Sequence, residues 1–387
     1  MHILIVGAGI GGLMTALSLE AAGFTDITIA ERTPEIRGLG VGVNLLPHAV
    51  RELTELGIAD RVAELGVEPG TLTYYNRHGQ LIWSEPRGRD AGYEWPQLSV
   101  HRGHLQLTLR DLVVERLGDV IHLGHKLVEV REGVAGGRVT GGGVATFELP
   151  DGSRTELSGD VIVAADGIHS AARALRYPDE GAPQWSGLTL WRGTALVEPY
   201  ADGRTMVMVG DADQKFVAYP LSGPLENGMQ RLNFIAERRI AGSPGADWNR
   251  EADRGPIAEM FAGWGTEWLD IPEVIRNAEE LLEYPMVDRD AIPHWTFGAM
   301  TLLGDAAHAM YPNGSNGGSQ AILDARTLAF HLATAATIDD ALAAYEADRR
   351  PATERLLGLT RQTGPERVMQ IARERAPEGS PDVHHVS

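Results

Sequence analysis

Three stretches of this 387-residue chain carry residue types at spacings that can do chemistry. In HILIVGAGIGGLMTALSLEAAG (2–23) an apolar strand pattern runs directly into Gly7, Gly9 and Gly12, and Leu13, Ala16, Leu17 and Ala21 then recur at helical spacing. Gly7 permits a tight turn, Gly9 lets backbone amides approach a pyrophosphate, and Gly12 lets helix and strand pack closely. A second strand, DITIAE, ends in Glu31, a residue able to accept from a ribose hydroxyl. Glu31 disfavours a 2′-phosphate and suits FAD or NAD, although Arg32 follows it. The second stretch, SGDVIVAADGIHSAAR (158–173), is a strand, an Asp166-Gly167 corner and a helix starting near Ser170. The third, LLGDAAHAMYPNGSNGGSQAILD (302–324), is a strand ending in Gly304-Asp305, a loop rich in Gly and Asn, and a helix. Taken singly, the last two read equally as ordinary strand-to-helix turns.

Around these stretches the chain has recognisable scaffolding. The glycine cluster at 131–152 is followed by β-type residues and by no helix, so it reads as a hairpin connection and not as a phosphate loop. From Trp185 to Tyr219 apolar and polar residues alternate between turn signals, as in antiparallel strands; 230–237 continues that sheet and 71–99 adds a hairpin. Trp191, Arg192, Met206, Met208 and Tyr219 are candidates to line a substrate cavity there, though each aromatic or Met also suits plain core packing. The segment 339–375 is helical by its Leu and Ala spacing and is expected to cover the nucleotide lobe, with Pro351 breaking or starting a helix. The tail 376–387 is Pro/Gly/Ser-rich and expected to be disordered.

Composition narrows the classes. Lys+Arg of 34 against Asp+Glu of 53 leaves −19, which argues against nucleic acid or anionic membrane as a partner. Without cysteine there is no disulfide, thiolate metal site or cysteine nucleophile, and the His residues lack metal spacing. No run reaches membrane-span length and the first strand begins at His2, so a cytoplasmic protein is expected. Only two lysines, Lys126 and Lys215, occur, both in poor motif contexts.

The three stretches, in this order and spacing, resemble the single-component FAD-dependent aromatic hydroxylases, the para-hydroxybenzoate-hydroxylase-like class, over about residues 2–360. GLGVGVNLLPHAV (38–50), WSEPRG (83–88), SVHRGHLQ (99–106), LWRG (190–193) and YPMVDRDAIPHW (284–295) further resemble a phenazine hydroxylase branch acting on 5-methylphenazine-1-carboxylate in pyocyanin formation. The resemblance implies an α/β fold: a Rossmann-like FAD-binding domain from 1–70, 100–175 and 284–375 with C-terminal helices, interleaved with a β-sheet substrate domain from 71–99 and 176–283. It implies FAD extended between the fingerprint, the Asp166-Gly167 corner and the late loop. Arg102 would lie near the phosphates, Asp305 on the ribityl hydroxyls after Gly304, and Pro312, Gly314, Gly317 and Gly318 beside the flavin ring. Ser319 stands where many members of the class carry Asn, and the phenazine branch shares it.

The implied chemistry is reduction by NADH or NADPH, bound transiently, then hydroxylation of a planar aromatic acid by O₂ through a flavin C4a-hydroperoxide, with loss of the carboxylate as an option. Arg192 is the candidate carboxylate partner; His308 is expected to be structural. No separate catalytic base and no metal stand out. A small-molecule substrate and a monomer or homodimer are expected. A flavin-dependent reductase on the same scaffold and a non-catalytic FAD-binding redox sensor remain open alternatives, separated by oxygen dependence and by substrate-stimulated NADH oxidation.

Overall fold

The run Ile3–Val6 is buried on both faces, which an apolar segment without alternation requires of a central parallel strand. In the computed structural model, which describes residues 1–38, 40–135, 138–242, 250–362, 364 and 366–379, it is flanked in parallel by Ile27–Ala30 and Val161–Ala164. Met300–Leu302 continues the sheet in parallel beyond Val161–Ala164. The full order is Thr296–Phe297, Met300–Leu302, Val161–Ala164, Ile3–Val6, Ile27–Ala30 and Ile121–His122. The strands preceding the three motif loops are therefore neighbours running the same way. All three loops leave one edge of one sheet, the carboxyl edge at which open α/β sheets bind ligands. Helices Ile10–Ala21 and Gly317–Thr334 pack together against this sheet and supply much of the larger core.

The glycine-rich stretch at 131–152 lies in a three-stranded antiparallel sheet, Lys126–Ala135, Arg138–Glu148 and Arg154–Gly159, as a hairpin reading requires. Residues 136–137 and the side chains of 133–140 lie outside the described set.

A second sheet of eight strands holds Glu280–Asp288, Gln184–Val197, Gln230–Arg239, Gln214–Pro224, Thr205–Gly210, Thr71–Tyr75 and Leu81–Pro86 in that order, with Arg250–Glu251 at its edge. The hairpin 71–86 joins through parallel pairing of Thr71–Tyr75 with Thr205–Gly210. Strand Glu280–Asp288 crosses residue 284, so the sheet takes in five residues, 284–288, beyond the expected segment end. Its two faces differ by strand parity. Val207, Val209, Phe216, Ala218, Phe234 and Ala236 face a core closed by helices Arg254–Met260 and Ile271–Arg276. Met206, Met208, Val217 and Tyr219 face the other way.

Two expectations for the C-terminus are corrected. Pro351 neither breaks nor starts a helix; it lies inside Ile338–Thr360. A Pro there leaves the carbonyl four residues back without its usual donor, but Tyr345, Arg349, Thr353 and Leu357 form a buried stripe on both sides of it. Tyr345 Oη donates to the Leu302 carbonyl at 3.1 Å, and Arg349 Nε to Asp324 at 2.7 Å. This packing outweighs the missing bond. Helix Glu366–Arg375 does not cover the first lobe: Met369 and Ala372 pack on Leu72, Tyr74, Ile82 and Met206 of the second sheet. The tail begins with a turn at Ala376–Gly379, where the Pro377 carbonyl accepts from Arg77 at 3.2 Å; residues 380–387 lie outside the described set. No described helix is long and apolar enough to cross a membrane, and no group of three or more metal-ligand side chains occurs among the described residues.

Candidate functional site

At the first motif, Gly7 has φ +105°, and a Cβ there would stand 2.4 Å from the Ala165 carbonyl oxygen. A Cβ on Gly12 would lie 1.9 Å from the Gly7 oxygen, which is the close helix–strand contact its spacing implies. Gly9 differs: nothing lies within 4 Å of a Cβ built on it. That open space sits at the N-terminus of helix Ile10–Ala21, where amides and dipole favour an anion. The Glu31 carboxylate accepts from Ala8 N–H at 2.7 Å and from Thr33 N–H at 2.9 Å, tying the second strand's end to the glycine loop; Arg32 is exposed beside it.

At the second motif both Asp166 oxygens already have donors, Ser170 Oγ at 2.6 Å and Ala172 N–H at 3.2 Å. Ser170 caps the short helix Ala171–Arg176, accepting from Arg173 N–H, and Asp166 braces that cap and ties the corner at Gly167 to the helix start. Burial pushes its carboxyl up, against those hydrogen bonds. Arg173, 1% exposed, runs from that helix to the third motif: Nη1 donates to the Ala307 carbonyl at 2.8 Å and to the Ala306 carbonyl at 3.2 Å.

The third motif is anchored from below. Gly304 N–H and His308 Nε2 meet one Asp324 oxygen at 3.0 and 2.6 Å, and Arg349 takes the other. Burial alone would raise the Asp324 carboxyl, but His308 and Arg349 together hold it below the usual carboxylate range. His308, expected to be structural, is buried within this anchor. Asp305, one residue beyond the anchored Gly304, is exposed. Ser315, in the loop that follows, holds φ +58°, a left-handed conformation uncommon for a residue other than Gly and typical of loops shaped for a ligand. Ser319 is buried and accepts Leu46 N–H at 3.1 Å.

A cavity of about 290 Å³ lies between this loop and the face of the eight-stranded sheet that carries Met206, Met208 and Tyr219. Asp305, Pro312, Gly314, Gly317 and Gly318 line one side. Met206, Met208, Val217, Tyr219 and Ile235 line the other, with Arg192, Arg102, Arg87 and Glu237 around them. Trp191 is not in it. Successive strand residues face opposite sides, so Trp191 and Arg192 cannot both reach the cavity; Trp191 packs in the outer core and donates to Glu283 at 2.8 Å. Arg102, expected near the phosphates, lines the same cavity, its side chain beside Gly40.

Arg192 Nη2 donates to the Gly42 carbonyl at 3.0 Å while its Nε is buried without an acceptor. Burial lowers the guanidinium, with Tyr219 and Tyr284 opposing that shift. Burial also pushes the Tyr219 phenol up to about 12, although Arg192 pulls it the other way. Val217, Ile235, Arg87 and Glu237 escaped the sequence reading, although the parity of Met206, Met208 and Tyr219 already selects this face.

The geometry fits an elongated nucleotide cofactor: an open anion site over Gly9, a buttressed corner at Gly167, and a shaped loop opening on a cavity with an apolar floor and charged margins. The chain belongs to the family described as FAD binding domain, which matches residues 1–360. It is 39% identical over 365 residues, 93% of this chain and 89% of the relative, to phenazine 1,6-dicarboxylic acid hydroxylase PhzS of Lysobacter antibioticus. It is 33% identical, over 90% of this chain and 85% of the relative, to the aurachin C monooxygenase/isomerase of Stigmatella aurantiaca. Its fold matches Klebsiella pneumoniae HpxO, crystallised with FAD and uric acid, at TM-score 0.79 and 24% identity, over 93% of this chain and 87% of that one.

Proposed function

We propose that this chain is an FAD-dependent aromatic monooxygenase that consumes NADH or NADPH and O₂ to hydroxylate a planar aromatic acid. The observation that carries this reading is a single cavity in which the Asp305–Gly318 loop faces an apolar floor and a half-buried arginine whose Nε has no acceptor.

FAD, when bound, supplies the redox and oxygen-activating chemistry. The chain's part is to hold and shield. The amides around Gly9 and the N-terminus of helix Ile10–Ala21 would take the pyrophosphate, and Glu31 a ribose hydroxyl in addition to the Ala8 amide. The Asp166-Gly167 corner would press on the nucleotide through its backbone, and Arg102 would neutralise anionic groups between loop and cavity. Asp305 would accept from ribityl hydroxyls. Amides of Gly314, Gly317 and Gly318, at the N-terminus of helix Gly317–Thr334, would stabilise negative charge on the reduced ring's pyrimidine edge. Met206, Met208, Val217 and Ile235 would grip the faces of the substrate ring and exclude water, and Arg192 would take its carboxylate.

A phenazine-type or other heteroaromatic acid suits this cavity, in keeping with the 39% identical relative that hydroxylates phenazine 1,6-dicarboxylic acid. Where the hydroxylated carbon bears the carboxylate, CO₂ would leave. The substrate is a small molecule, and the chain is assigned to the cytoplasm.

The test is NADH oxidation by the FAD-loaded protein, in air and without oxygen, with phenazine-1-carboxylate, its N-methyl form and simple hydroxybenzoates. One of them should stimulate oxidation in air and give a product heavier by one oxygen, or with CO₂ exchanged for OH. Arg192→Met should raise KM for that acid at least 10-fold. Turnover indifferent to oxygen would instead favour the reductase, and tight FAD with no stimulation by any aromatic acid would favour the redox sensor.

A further inference from the structure

Of the two lysines in the chain, Lys126 is exposed and Lys215 is 3% exposed inside the eight-stranded sheet. Lys215 Nζ lies 3.0 Å from Glu237 Oε1, and the two residues are direct cross-strand partners. Glu237, 4% exposed, lines the cavity, whereas Lys215 stands behind it. The register places this pair precisely within the floor's pattern of rows. Arg192, Ile235, Val217 and Met208 form one row across the sheet; Leu190, Glu237 and Lys215 form the next on the same face, two residues along each strand. The cavity thus has a cationic corner at Arg192 and a charge-compensated carboxylate about 7 Å further along the strands. A buried ion pair adds little stability over two apolar side chains, so stability does not account for a carboxylate facing a cavity otherwise floored by Met, Val and Ile.

We infer that Glu237, held in place by Lys215, accepts the hydrogen of a ring hydroxyl or amino group on the substrate, and that the enzyme selects aromatic acids carrying such a donor at the edge away from the carboxylate. This rests on the monooxygenase reading above. With FAD bound to supply O₂ activation and the electrons of NADH or NADPH, a C–O bond would form on the ring as the O–O bond breaks and the second oxygen leaves as water; the donor's O–H or N–H bond would break with its electron pair moving toward the ring and its proton passing to a Glu237 oxygen. Glu237 returns that proton to solvent when product leaves. Glu237 is then the catalytic base that the sequence alone did not reveal, and Lys215 its positioning partner.

The experiment pairs each hydroxylated aromatic acid with its O-methyl ether, using FAD-loaded wild type, Glu237→Gln, and the double variant Lys215→Met/Glu237→Met, which removes both charges together. Calorimetry should show wild type binding the hydroxy acid at least 10-fold more tightly than the ether, with that preference absent in both variants. Glu237→Gln should lower kcat/KM for the hydroxy acid about 100-fold and change that for the ether less than about twofold. An equal loss for acid and ether in folded, FAD-retaining variants, or a wild type blind to the donor, overturns the inference. If wild type prefers the donor in binding but incorporates no oxygen into any probe, the monooxygenase reading fails while the acceptor site stands.

Discussion

Gly9 and Gly12 are three residues apart and answer to different demands. A methyl on Gly12 would collide with the Gly7 carbonyl at 1.9 Å, backbone against backbone, with no flexible neighbour to yield. A methyl on Gly9 meets no protein atom within 4 Å, and φ −75° suits any residue. Gly12→Ala is therefore expected to destabilise the fold by several kcal/mol. Gly9→Ala should keep the apoprotein's Tm while its FAD affinity falls at least 10-fold, read by flavin fluorescence during titration. A Gly9→Ala protein that holds FAD normally would remove the pyrophosphate from this loop. Both glycines are legible in the sequence because their spacing is set by one local strand–turn–helix unit. Arg173, Asp324 and Glu237 are not. Their partners lie across the fold or on other strands, and a single charge in an apolar pattern says nothing about what compensates it.

At the scale of elements, the Gly304-Asp305 turn is held by the helix that follows it. Asp324 gathers Gly304 N–H, His308 and Arg349 in a site with no exposed carboxylate surface. Asp324→Asn leaves the Arg349 charge buried without its counterion and is expected to cost about 3 kcal/mol. Because the turn positions Asp305, FAD should dissociate before global unfolding, visible as a flavin-fluorescence transition below the main Tm. A single coincident transition would show that the turn needs no such anchor. Pro351 tests the packing argument from the other side. Pro351→Ala restores one backbone hydrogen bond within Ile338–Thr360 and should stabilise by about 1–2 kcal/mol, net of the proline's restriction of the unfolded chain, measured by urea unfolding. The strands of the second sheet were legible from alternation, and parity places Arg192, Met206, Met208 and Tyr219 together. The same parity excludes Trp191, whose size and aromaticity suggested a ligand contact. The course of Glu366–Arg375 was illegible because an amphipathic helix declares an apolar face without naming the surface it meets.

For the molecule as a whole, the titration of buried tyrosines sets an alkaline limit on both lobes. Tyr345 donates to the Leu302 carbonyl under the first sheet, while Tyr200, donating to the Thr205 carbonyl at 3.1 Å, and Tyr219 sit in the second. Burial pushes all three phenols up, Tyr219 to about 12. An unfolded chain releases these protons near pH 10, so above that the unfolded state binds fewer protons than the native state and stability falls as pH rises. Each phenol's contribution is whole below about pH 10 and disappears as pH climbs through its folded value. For Tyr219 that window is about 10 to 12, and the loss across it is on the order of 3 kcal/mol. Urea midpoints of the FAD-loaded protein should therefore be level from about pH 8 to 9 and fall steeply beyond about 10. Tyr219→Phe should lessen the slope in that window without altering it below pH 10, and the difference in tyrosinate absorbance between wild type and Tyr219→Phe should appear only with unfolding. That difference appearing in the still-folded protein near pH 10 would mean that the cavity admits water around Tyr219. The apolar floor would then fail to shield the oxygen chemistry proposed for it.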